Sequence, residues 1–116
     1  MRVHLDRDSV AAGDDVEAHA SVIDVAEVSD LEGLFAHVLR VYPLPLIAGG
    51  LATWAICSRR PLAVLAQEWS EPRMLPCRSL SDCLGSDGVV RLYFNYFAQI
   101  DPEVVTNVLR RLRVED

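Results

Sequence analysis

Gly88-Val89-Val90-Arg91-Leu92-Tyr93-Phe94-Asn95-Tyr96-Phe97-Ala98, followed closely by Asp101-Pro102-Glu103, is the stretch that decides the fold class. Val90, Leu92, Phe94 and Tyr96 recur at every second position. That is the period of a strand burying one face, and β-branched and aromatic residues suit its pleated surface. The other face reads Arg91, Tyr93, Asn95, Phe97. Asp101-Pro102-Glu103 then opens a helix: a side chain that caps amides, a proline where no amide partner is needed, and an acid near the positive end of the dipole. Val104, Val105, Val108, Leu109 and Leu112 form its expected buried stripe.

Outward from this unit, Ser86-Asp87-Gly88 reads as a turn, 79 to 84 as one or two helical turns closed by Gly85, and 73 to 77 as a short strand. Residues 52 to 58 and 62 to 69 are β-prone runs joined by Arg59-Arg60-Pro61, a hairpin with apolar residues on both faces. Further back, Ser29-Asp30-Leu31-Glu32 predicts a capping box, and Leu31, Leu34, Phe35, Val38 and Leu39 share one helical face. Pro43 and Pro45 stop that helix near Val41, leaving 41 to 50 as a connector. Val3 and Leu5 alternate with polar neighbours, and 16 to 25 is a second β-like run, so the chain opens with a hairpin. The expected fold is a single α+β domain over residues 1–116. It has a mainly antiparallel sheet of about five to six strands, with two main helices and one short helix packed on one face.

The 116-residue length can bury a core unaided, and 51% hydrophobic with 24% charged residues excludes the composition of disordered chains. The first segment, Met1 to Asp8, is too charged for a secretory leader, and prolines and glycines interrupt the longest apolar run, so neither export nor a membrane span is expected. Three cysteines (Cys57, Cys77, Cys83) cannot all pair within the chain, and no C-x-x-C occurs, which points to reduced thiols in the cytoplasm.

All eleven basic residues are arginine, as a GC-rich coding sequence would produce. Residues 1–32 hold nine acids against two arginines, a charge of -7; the rest holds eight acids against nine arginines, or +1, giving the overall -6. The negative excess is therefore N-terminal. The cluster Arg110, Arg111 and Arg113 complements the end of the last helix, and an acidic chain lacks the broad basic footprint of a nucleic-acid binder.

Catalytic and metal signatures are weak. His4, His19 and His37 stand singly, and no nucleophile, base and orienting group form a recognisable set. His4 and His19 could face each other across the first hairpin near Asp6 or Glu17, a sparse spacing for a metal or acid–base pair. Gly49-Gly50 precedes a strand rather than a helix, so it reads as a turn and not a phosphate cradle. No metal and no cofactor are expected, and binding is expected in place of enzymatic catalysis.

Arg7-Asp8-Ser9-Val10-Ala11-Ala12-Gly13-Asp14-Asp15-Val16, Ile47-Ala48-Gly49-Gly50-Leu51-Ala52-Thr53-Trp54 and Gln67-Glu68-Trp69 resemble short bacterial immunity proteins of contact-dependent growth inhibition and other polymorphic toxin systems. The resemblance covers about half of the chain and implies an inhibitor that binds a toxin domain, commonly a nuclease. The charge layout fits independently, because an acidic surface competes for a basic phosphate-binding cleft and speeds association. Asp14, Asp15 and Glu17, with Asp6 and Asp8 close by, are the expected contacts, and Tyr93 or Phe97 the apolar anchor. The same acids also read as a solvated edge that blunts strand pairing. The alternative is a small homodimeric or ligand-binding module that uses the exposed sheet face and the connector at 42–50.

Overall fold

A computed structural model of the chain describes residues 1–10, 19–47 and 49–111. Its elements are β1 (Arg2–Arg7), β2 (Ser21–Asp24), α1 (Leu31–Val41), β3 (Thr53–Ser58), β4 (Arg60–Ala66), β5 (Arg73–Met74), a 3-10 turn (Leu80–Asp82), β6 (Val89–Tyr96) and α2 (Pro102–Arg111). The strands form one six-stranded sheet in the order β2-β1-β6-β3-β4-β5.

The sheet is mixed, which corrects the antiparallel expectation in part. β1–β2, β3–β4, β3–β6 and β4–β5 are antiparallel, but β1 and β6 run parallel, from Arg2 opposite Val89 to Arg7 opposite Phe94. Hairpin signals report only neighbours in sequence. β6 enters between the two hairpins after the rest of the sheet-forming chain has passed, and this long-range choice leaves no local trace.

The expected packing of both helices on one face is not what the core shows. Leu31, Leu34, Phe35 and Val38 of α1 cluster with Trp54, Ile56, Ala63, Leu65, Val90, Leu92 and Phe94. Val105 and Leu109 of α2 cluster with Ala55, Val64 and Leu75. Ala55 lies between Trp54 and Ile56 on one strand, and successive strand residues point to opposite faces, so α1 and α2 cover opposite sides of the sheet. This explains why β3 and β4 are apolar at nearly every position.

Local chemistry differs from expectation at the start of α1 and along the buried stripe of α2. For α1, Asp30 is the cap: its Oδ1 accepts from the Gly33 amide at 2.8 Å, one residue along from the predicted Ser29. In α2 the buried residues are Val105, Thr106 and Leu109, whereas Val104 and Val108 face outward, and Leu112 lies outside the described residues. Thr106 tolerates burial because its hydroxyl donates to the Pro102 carbonyl at 2.7 Å. Arg73 ties β5 to α2 by donating to both Glu103 oxygens at 2.7 Å, while its guanidinium lies 4.4 Å from the Trp69 ring centroid.

The connector is held by polar contacts at both ends. Tyr42 Oη donates to the His19 carbonyl at 2.6 Å, and the Gln67 side-chain amide pairs with the Ile47 backbone amide and carbonyl. Gly49 and Gly50 take φ of 92° and 69°, a left-handed path that glycine alone enters without steric cost, so the pair does serve as the turn leading into β3. Among the described residues no helix is long and apolar enough to cross a membrane.

Candidate functional site

Because α2 packs over β3 and β4, no other described element lies on the same face of the sheet over β2, β1 and β6. Strand alternation brings three rows of side chains there: Val22 and Asp24 from β2, Arg2, His4 and Asp6 from β1, and Arg91 and Tyr93 from β6. Cys57 of β3 lies opposite Tyr93 and closes the row beside α2. The result is an open groove of about 860 Å³, lined among others by His4, Asp6, Val22, Arg59, Arg91 and Tyr93.

Asp8 organises one end. Its Oδ1 accepts from the Tyr93 hydroxyl at 2.7 Å and its Oδ2 from the Tyr96 amide at 2.8 Å, while its own amide donates to the Phe94 carbonyl at 2.9 Å. The carboxylate therefore extends the β1–β6 pairing past the last strand residue. Accepting the phenol proton in a charged hydrogen bond holds Tyr93 protonated, and with burial and the nearby Asp8 and Asp6 charges it pushes that group up to about 12. Tyr93 is still 38% exposed, so part of its side chain remains open to solvent. Asp6 is half-buried, with Oδ1 accepting from the Arg7 amide at 2.8 Å.

Cations gather toward the other end. Arg91 forks onto Asp87, with Nη2 to Oδ2 at 2.7 Å and Nη1 to Oδ1 at 3.3 Å, and this guanidinium holds the Asp87 carboxyl down at about 2. Gly85 makes room for the fork: a Cβ there would sit 2.8 Å from Asp87 Oδ1 and 3.0 Å from Arg91 Nη1. Arg59 turns the β3–β4 hairpin with φ of 64° and stands exposed on the groove rim. The Cys57 thiol is pushed up by burial, which a 3.1 Å hydrogen bond from Asn95 Nδ2 only partly offsets, and this favours its neutral form.

The sequence-predicted contacts divide. Asp6, Asp8 and Tyr93 come together at one end of the groove, with Asp8 and Tyr93 bonded to each other. Phe97 is half-buried against the α2 cluster, where it serves the core and offers little as an anchor. Asp14, Asp15 and Glu17 lie outside the described residues. His4 sits opposite Val22, so it does not face His19, which instead lies 3.1 Å from Ser9 Oγ. Among the described residues no group of three or more His, Cys, Asp or Glu side chains is placed to hold a metal ion. Cys57 and Arg59 escaped the sequence reading, because only the register of β3 against β6 brings them to the groove. No family model, no curated protein and no solved structure matches this chain.

Proposed function

We propose that this chain is an immunity-type inhibitor that acts in the cytoplasm and binds a toxin domain, without catalysis or cofactor, through the uncovered β2–β1–β6 half of its sheet. The carrying observation is that, among the described residues, nothing covers this half-face, which bears Tyr93, Asp6 and Asp8 at the end where β1 leads into the most acidic part of the chain. An exposed aromatic side chain supplies apolar contact area, and the surrounding carboxylates complement a basic cleft. Asp8 has a positioning role, since both its oxygens are already engaged. Asp6, Tyr93 and the acids at 14, 15 and 17 are the contacts this reading assigns.

The test begins with affinity capture from lysate of the source cells, washed at low and then high salt. It continues with expression of each captured domain alone and together with this chain. The reading requires a domain that arrests growth alone and is silenced by co-expression, with association slowed by salt and by Asp6→Asn, Asp14→Asn and Asp15→Asn combined. Growth arrest unaffected by this chain, or binding indifferent to these substitutions and to Tyr93→Ala, would overturn it. The groove volume favours one second reading, a small-ligand module, since it lies in the range of ligand pockets. A ligand-dependent rise in melting temperature without any protein partner would select that reading.

A further inference from the structure

The outward side of α2 poses a separate question. Val104 is 51% exposed and Val108 54% exposed on a helix whose other apolar residues are buried. At 3.6 residues per turn, Asp101, Val104, Val108 and Arg111 fall within one arc of about 80°, away from the buried Val105 and Leu109. Their spacing of three, four and three residues is that of a seam between two packed helices.

This seam is self-complementary when reversed. About Thr106 as midpoint, Asp101 exchanges with Arg111 and Val104 with Val108. The end charges are also available. Asp101 uses Oδ1 to accept from the Glu103 amide at 2.9 Å, while its other oxygen has no partner among the described residues. Glu103 is taken by Arg73 and Arg110 by Asn107, whereas Arg111 is exposed and has no partner among the described residues.

We propose that α2 is a homodimer interface. Two copies pair antiparallel about a two-fold axis at the level of Thr106, with Val104 of each against Val108 of the other and Asp101 against Arg111 at both ends. A parallel pairing would place Asp101 beside Asp101 and Arg111 beside Arg111, so the charges select the antiparallel arrangement. The occupant is a second copy because one chain carries both halves of the complement. The inference is independent of the toxin-binding reading, since α2 presents this seam outside the β2–β1–β6 groove.

One ten-residue helix from each copy makes a small contact, so sedimentation equilibrium of the intact chain should extend to roughly millimolar concentration. The expected result is a reversible dimer whose dissociation constant rises about tenfold or more in Val104→Asp and in Val108→Asp. Both positions are half-exposed, so unchanged thermal melts should show that these variants fold. Arg111→Asp should weaken self-association, and mixing it with Asp101→Arg should restore a heterodimer. A chain that stays monomeric throughout, or a dimer indifferent to Val104→Asp and Val108→Asp, would overturn the proposal.

Discussion

The two halves of one sheet face have the same backbone geometry and opposite fates. Over β3 and β4, the outward positions are Ala55 and Val64, and α2 lies on them through Val105 and Leu109. Over β1 and β6, equivalent positions carry His4, Asp6, Arg91 and Tyr93, and no described element covers the face. A helix can cover small apolar side chains and remove their area from water at little polar cost. Covering carboxylates and guanidinia would strip their hydration without supplying partners. The boundary between the halves is chemical, and it falls at Cys57, Asn95 and Phe97.

The largest break of this contrast comes from the covered half. Leu109→Ala removes a buried side chain from the α2–sheet contact and should lower unfolding free energy by about 2–4 kcal/mol in urea titration. A value below about 1 kcal/mol would mean that α2 contributes little to the fold.

Next comes Asp8, an acid of the open half with a structural task. Asp8→Ala deprives the Tyr93 hydroxyl and the Tyr96 amide of their acceptor and should cost about 1–3 kcal/mol, measured in the same titration. Asp8→Asn should recover part of this loss, because it keeps an acceptor oxygen.

A smaller effect sharpens the same point by pH. Tyr93 titrates near 12 in the folded chain against 10 for the ordinary phenol. Between those values the folded state holds a proton that the unfolded state has lost. The stabilisation is therefore complete below pH 10 and is lost as pH rises toward 12. Tyrosinate absorbance should show one phenol titrating late, and the Asp8→Ala variant should return it toward the ordinary range.

The smallest effect is expected in the open half proper. His4→Ala and Arg59→Ala should each change stability by no more than about 0.5 kcal/mol, since neither side chain supports the core. Larger losses in thermal melts would show that the groove is part of the fold rather than a surface kept free.

Much of this division was legible in the chain itself. The alternation in 89 to 96, the apolar run of β3 and β4, the stop at Pro43 and the cap-and-proline start of α2 follow from local periodicity and backbone chemistry. The element order came out as expected for the same reason. The stripe of α2 was misread at Val104 and Val108, because a helix rich in valine satisfies more than one apolar arc. The candidate site was half legible: Arg91 and Tyr93 stood out on the polar face of β6, and Asp6 and Asp8 by their charge. Their meeting depends on the parallel pairing of β1 with β6.

By itself the sequence determined the kinds and order of elements, the apolar faces of α1 and β6 and the acidic bias of the first 32 residues, all of which are read within short stretches of chain. Only the tertiary structure decided that β6 lies between β1 and β3, that the helices take opposite faces, and that Asp8 is spent on Tyr93 and Tyr96. Those outcomes depend on which distant surfaces exclude water together, and no short window of sequence contains both partners.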